Sequence, residues 1–240
     1  MALYQEFKAI NFLKHYIYSF IYLKAEYTND FVYLYPDGAD YLLYDNVTIK
    51  VIKKNFIKQS YKLCLKENTE YFLVRLKPCS FYFFEQDIIK YNQTLITLEQ
   101  MMQTTKSFSK KKKLIELLIL ELTNANQQEN NIVSICNIIL QKKGNITLTD
   151  LSHASNIHPR TLQREFKKII QLTPKEFINI IKFQNTLSTL YAKINQDKIV
   201  KIDPYYDYSH FYKTFKKYLN ISPKELKKAN KLHIKSIFNI

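Results

Sequence analysis

The chain has 240 residues, a formal net charge of +15 and a hydrophobic fraction of 46%. That length and apolar content suffice for one or two domains with real cores and argue against wholesale disorder, while the charge points to a polyanionic partner, either nucleic acid or an anionic membrane surface. Only two glycines are present, Gly38 and Gly144, which excludes a Gly-rich phosphate loop or a dinucleotide fingerprint.

The charge is unevenly placed. Residues 1–130 carry 17 Lys+Arg against 14 Asp+Glu, and residues 131–240 carry 19 against 7. Aromatic residues lean the other way, with 23 of the 35 Phe and Tyr in residues 1–130. Such a contrast reads as two domains with different work, bounded at 1–124 and 132–231 with residues 125–131 as linker. The three cysteines, Cys64, Cys79 and Cys136, are scattered; they suit a reducing compartment and suggest no disulfide framework. The first residues mix Glu6, Lys8, Lys14 and His15 with apolar ones, which is not a signal peptide. The longest apolar stretches, such as Leu117–Leu120, fall far short of a bilayer span. A soluble cytoplasmic protein is expected. The five histidines and three cysteines show no metal-ligand spacing, and there is no G-x-S-x-G elbow, so neither a metal, a cofactor nor catalysis is expected.

In chain order, Leu3–Tyr22 is open to a helical or an extended reading. Phe31–Tyr35 is a strand candidate leading into the turn Pro36-Asp37-Gly38, where Pro suits the second turn position and Gly the fourth. Tyr41–Tyr44, Val47–Ile52, Ser60–Leu65, Tyr71–Lys77 and Phe81–Phe84 are further strand candidates, so the first domain is expected to be small and β-rich. From about Ile88 the pattern turns helical. Lys110–Lys113 reads as a solvated helix start, followed by an apolar face of Leu114, Leu117, Leu118 and Leu122. The polar, Asn/Gln-rich stretch 124–131 is the linker candidate. Ile132, Ile135, Cys136, Ile139 and Leu140 then recur at helical spacing up to Gly144, a natural residue to follow a helix end. The fold class is therefore α+β, with a β-rich part and trailing helices followed by an all-α part.

The basic half contains an internal repeat. A shift of 49 residues places Phe166-Lys167-Lys168 on Phe215-Lys216-Lys217 and Thr173-Pro174-Lys175-Glu176 on Ser222-Pro223-Lys224-Glu225, without a gap. Leu172 falls on Ile221, Leu162 on Phe211, and Arg164 on Lys213. So many matches indicate a duplicated supersecondary unit. In the first copy a short helix follows Thr147-Leu148-Thr149, where Thr or Asp can cap. Asn156–His158 makes a turn, and Pro159 takes a first helical position, where its missing N–H costs nothing. Leu162, Phe166 and Ile169 then share one face while Arg160, Gln163, Arg164 and Lys167 share the other. A short helix, a tight turn and a second helix with a cationic outer face is a helix-turn-helix unit, whose second helix fits the DNA major groove. The second copy offers Tyr208, Ser209, His210, Tyr212 and Lys213 outward, with Phe211 and Phe215 inward. Lys216 and Lys217 suit phosphate contacts.

At these residues the sequence resembles the AraC/XylS family of transcription regulators over roughly Ile132–Asn230. The resemblance is carried by Tyr205-Tyr206-Asp207-Tyr208-Ser209-His210-Phe211 with Phe215-Lys216-Lys217 and Ile221-Ser222-Pro223, and by Leu162–Lys168 with Leu172-Thr173-Pro174. It implies two helix-turn-helix subdomains joined by a central helix near Pro174–Leu190, with recognition helices entering successive major grooves. It also implies base contacts by Arg160, Gln163 and Arg164 in the first unit and by Tyr208, Ser209, His210, Tyr212 and Lys213 in the second. The chain departs from the family pattern at Gln171 and Asn220, where a Gly is usual before the apolar-Ser/Thr-Pro motif, at Pro204, and at Ser152 and Val200. Asn tolerates a left-handed backbone more readily than Gln. The N-terminal part resembles, more weakly, a sensory domain of some such regulators, through Pro36-Asp37-Gly38 and Val74–Pro78 before Phe81–Phe84; Cys79 stands where a Gly is expected.

The reading is a sequence-specific transcription regulator, an activator by family habit, with double-stranded DNA as partner. RNA polymerase, a small-molecule effector of unknown identity and a second copy of the chain are candidate further partners, and no membrane is expected. The alternatives are an effector-free architectural DNA binder and an enzyme with a DNA-binding appendage; the missing catalytic constellation speaks against the second. Membrane-surface binding explains the charge but not the repeat.

Overall fold

A computed structural model of the chain describes residues 3–9, 13–14, 16–27, 30–45, 49–52, 60–78, 80, 88–105, 107–124, 131–194, 208–222 and 225. The strand candidate Phe81–Phe84, Cys79, most of the linker candidate, Val200 and Pro204 lie outside these residues. The chain divides into two compact units: residues 1–30, 39–53 and 65–133, and residues 31–38, 54–64 and 134–240.

The first unit is built on a five-stranded antiparallel sheet of order β1-β2-β7-β4-β5. Its strands are β1 (Leu3–Lys8), β2 (Ile17–Lys24), β4 (Asp40–Tyr44), β5 (Ile49–Ile52) and β7 (Glu70–Leu76). The opening residues are thus extended, with β1 and β2 paired from Leu3↔Lys24 to Lys8↔Ser19. Ile17, Tyr18, Phe20, Ile21 and Tyr22 are β-branched or aromatic and suit a pleated surface. Side chains alternate between faces, and one face buries Phe20, Leu42, Tyr44, Phe72, Val74 and Leu76 against Leu98, Met102 and Ile115. The last three belong to α1 (Ile88–Thr104) and α2 (Phe108–Asn124). The other face of the sheet also buries Ile21, Leu23, Leu43 and Leu73.

Two features of α2 differ from expectation. Leu117 is exposed whereas Ile115 is buried and Glu116 nearly so, so the apolar face is rotated toward Ile115. The lysine run is not simply a solvated start, because Lys111 Nζ lies 5.2 Å from the Tyr44 ring centroid and Lys112 Nζ 5.3 Å from that of Phe20. Lys112 also pairs with Glu116 at 3.5 Å. Both ammonium groups thus lie within cation–π reach of sheet aromatics.

Among the described residues the second unit joins a two-stranded ribbon to five helices. The ribbon pairs β3 (Phe31–Leu34) with β6 (Tyr61–Cys64), from Phe31↔Cys64 to Leu34↔Tyr61. The helices are α3 (Asn131–Gln141), α4 (Leu148–Ser155), α5 (Pro159–Ile170), α6 (Pro174–Ile194) and α7 (Tyr208–Leu219). Within this unit the turn after β3 reaches α6: Gln184 donates to the Pro36 carbonyl at 2.5 Å. A Cβ on Gly38, which has φ +78°, would stand 2.8 Å from Phe177 Cε2. The periodic residues Ile132, Ile135, Cys136 and Ile139 of α3 are buried as their spacing predicts. The helix closes with Gly144 at φ +74°, its N–H bonded to the Ile139 carbonyl at 3.0 Å. Among the described residues no helix is long and apolar enough to cross a membrane.

Candidate nucleic-acid interface

The local chemistry of each basic unit is set by its caps. Thr147 precedes α4 and accepts from the Asp150 N–H at 3.1 Å, while the Asp150 carboxylate accepts from the Thr147 N–H at 3.0 Å. This reciprocal box satisfies two backbone donors that the helix cannot. The Thr147 hydroxyl and N–H hold the Asp150 carboxyl below the usual carboxylate range. A depressed pKa of this kind stabilises at neutral pH, and that stabilisation is lost as pH falls through the folded-state value. The helix ends at Asn156, with φ 54°. Then His158 Nδ1 accepts from the Arg160 N–H at 3.4 Å, and Pro159 begins α5.

The repeat found in the sequence recurs as hydrogen bonds. Gln171 takes φ 60° after α5 and Asn220 φ 59° after α7. Their N–H groups bond the carbonyls of Lys167 at 2.9 Å and Lys216 at 3.0 Å. Each is followed by a capping box. The Thr173 N–H donates to the Glu176 carboxylate at 2.8 Å and the Thr173 hydroxyl accepts from the Glu176 N–H at 3.2 Å; Ser222 and Glu225 do the same at 2.6 and 3.2 Å. The backbone N–H and hydroxyl of Ser222 hold the Glu225 carboxyl below its ordinary range. The sequence repeat aligns Thr173–Glu176 with Ser222–Glu225, and the Ser/Thr-x-x-Glu spacing in each copy is the signal of these boxes, one the sequence reading missed.

Gln171 has no Cβ-free backbone to ease its left-handed conformation. Gln171→Gly is therefore expected to stabilise the protein by about 0.5–1 kcal/mol, because glycine carries no steric penalty there. A urea melt checks this, and an unchanged or lower midpoint contradicts it.

Helix α6 ties the two helix-turn-helix copies together. Its Phe177 packs on Phe166 of α5 with ring centroids 5.6 Å apart. Six residues on, Phe183 packs on α7 through Phe215 at 6.1 Å and Tyr218 at 4.9 Å. Phe166, Phe177, Phe183 and Phe215 are fully buried, so both recognition-helix candidates are anchored on one rigid rod of aromatic contacts.

The opposite faces are left to solvent. On α5, Leu162, Phe166, Ile169 and Ile170 are buried, whereas Arg160, Gln163, Arg164, Lys167 and Lys168 are exposed. The Arg164 side chain is 74% exposed, and its Nε meets Glu165 at 3.1 Å. An exposed neighbour pair of this kind is worth little and is readily exchanged for a base or phosphate. On α7, Phe215, Tyr218 and Leu219 are buried, whereas Tyr212, Lys213, Lys216 and Lys217 are exposed. Tyr208, Ser209 and His210 occupy the first turn of α7, and their side chains lie outside the described residues. Each described face thus carries cations at helical spacing and no acid other than Glu165. Among the described residues no His, Cys, Asp or Glu cluster could hold a metal ion.

With that geometry in view, the family comparison matches a helix-turn-helix domain model over residues 151–229. Among solved structures the chain is similar to ToxT from Vibrio cholerae at 14% identity, over 94% of this chain and 96% of that one, with a TM-score of 0.43. A second ToxT structure, from Vibrio cholerae O395, matches at 12% identity over 100% and 98%, with a TM-score of 0.42. Likeness at this level assigns no residue roles and no ligand. No curated protein matches the chain.

Proposed function

We propose that this chain, whose residues 151–229 match a helix-turn-helix domain model, is a DNA-binding transcription regulator of the AraC type that reads a defined DNA site with two recognition helices, α5 and α7. In this reading residues 132–231 are the DNA-binding domain, joined by a linker at 125–131 to a regulatory domain at 1–124, and the protein acts in the cytoplasm as an activator. Arg160, Gln163 and Arg164 contact bases in one major groove; Tyr208, Ser209, His210, Tyr212 and Lys213 contact them in the next. Arg suits guanine and Gln suits adenine, each through a bidentate pair of hydrogen bonds. Lys167 and Lys216 neutralise phosphates. RNA polymerase, a small effector and a second copy of the chain are the partners such a regulator would use.

The observation that supports this reading most is the duplication. Two helix ends, each with a left-handed residue, an equivalent capping box and a cationic outer face, are anchored on one central helix. A surface that merely kept the protein soluble would need no such repetition. Footprinting tests the proposal: a protected site of defined sequence supports it, and uniform weak protection favours an architectural binder.

Lys216→Ala is expected to weaken binding to every DNA sequence alike and to reduce the slope of log affinity against log salt by about 0.9, the value of one phosphate contact. Titrations at several salt concentrations check this. An unchanged slope removes Lys216 from the phosphate-contacting set.

A further inference from the structure

The first unit carries a small cleft that DNA binding does not use. Its volume is about 90 Å³, and it is lined by Tyr22, Tyr44, Glu70, Phe72, Phe108 and Lys111 together with Tyr71. The strand register builds it: Tyr22 of β2 and Tyr44 of β4 both stand opposite Phe72 of β7, so three rings form one row across the helix-facing side of the sheet. Phe108, at the start of α2, closes the row, its ring centroid 5.1 Å from that of Phe72 and 5.3 Å from that of Tyr22.

Two opposite charges enter this aromatic cup. Glu70 sits two residues before Phe72 on the same face, opposite Lys24 in register, and accepts a hydrogen bond from the Tyr22 hydroxyl. Burial and that carboxylate push the Tyr22 phenol up to about 12, so the hydroxyl remains a donor at neutral pH. Lys111 enters from α2, its Nζ over the Tyr44 ring. Burial lowers the Lys111 pKa while Glu70 opposes the shift.

We propose that this cleft binds a small zwitterion, an amino-acid-sized molecule whose ammonium group meets Glu70 and the ring faces while its carboxylate meets Lys111. Size and charge both select it. A cavity of about 150 Å³ holds benzene and one water takes about 30 Å³, so a cleft of about 90 Å³ suits a handful of heavy atoms and excludes a nucleotide or a long acyl chain. Aromatic faces and a carboxylate attract a cation, and a lysine ammonium is a point donor for an anion; a ligand carrying both charges satisfies both walls. The site rests on the regulatory reading of residues 1–124 only for its effect on transcription; binding itself is independent of DNA.

Calorimetry on the full chain tests this, with glycine and L-alanine as probes and acetate and methylammonium as single-charge controls. The expected result is that at least one amino acid binds and neither control does. Glu70→Gln and Lys111→Gln should each weaken that binding about ten- to hundredfold, the loss of one hydrogen bond to a charged group. Lys113→Gln, an exposed neighbour on the same helix, should leave it unchanged, and Lys111→Arg keeps the charge should Lys111→Gln fail to fold. Absence of binding by both amino acids, equal binding of acetate, or full affinity in both charge variants overturns the proposal. A protein that binds DNA but no amino acid refutes the cleft alone; one that binds an amino acid but no DNA refutes the DNA-reading proposal alone.

Discussion

Arg164→Ala is expected to weaken binding to the preferred DNA site by about 1–3 kcal/mol, roughly 5- to 150-fold, and to relax the preference at one base position. The expectation follows from placement. Arg164 sits in the second turn of α5, two residues from buried Leu162 and Phe166, with its side chain 74% exposed. Truncating it removes a guanidinium fork without opening a cavity, so the melting temperature should hardly move. Within the protein, truncation removes the surface pair with Glu165, worth at most about 1 kcal/mol. Competition titrations with single-base variants of the site separate the two contributions. A uniform loss over all sequences would make Arg164 a phosphate contact and not a base reader.

Gly144→Ala is expected to have the largest effect on stability, about 3 kcal/mol or more, because two independent penalties add at one residue. The backbone there is left-handed, at φ +74°, which disfavours any Cβ. A Cβ would also stand 2.6 Å from the Lys182 backbone nitrogen and 2.7 Å from the Ile178 carbonyl oxygen. Both are backbone atoms of a continuous helix and cannot swing aside. The end of α3 would have to lift off α6, loosening the first helix-turn-helix unit. A thermal melt should fall by about 10 °C or more, given roughly 4–8 °C per kcal/mol for a domain of this size. A drop of only a degree or two would show that α3 tolerates displacement from α6.

The basic half was the legible half, and the reason is physical. Its order is local: caps, turns and amphipathic faces lie within a few residues of one another, and duplication wrote each of them twice. Pro159 and the cationic face of α5 could be placed from spacing alone. Gln171 and Asn220 were flagged by departure from a glycine, and both are left-handed. The β-rich half was less legible because its order comes from pairing across long sequence separations. Residues 3–22 stayed ambiguous since β2 is buried on both faces and its apolar residues form a run without alternation, which periodicity cannot distinguish from a buried helix. The row Tyr22, Phe72, Tyr44 exists only through the register of β2, β7 and β4. Likewise nothing near Pro36 in the sequence points to Gln184, 148 residues away. The lysine run of α2 misled for a related reason: its charges suggested solvent, while the rings they cover are distant in sequence.

The central claim is that two equivalent helices read DNA together. Selection of bound sites from a random DNA pool by the full chain tests it most directly. The result predicted is an enriched motif of two parts with centres about 10–10.5 base pairs apart, one turn of the duplex, in which Arg160→Ala or Arg164→Ala blurs one part and Lys213→Ala the other. A pool that emerges without any enriched motif, or a single motif that these three substitutions all leave intact, would contradict it.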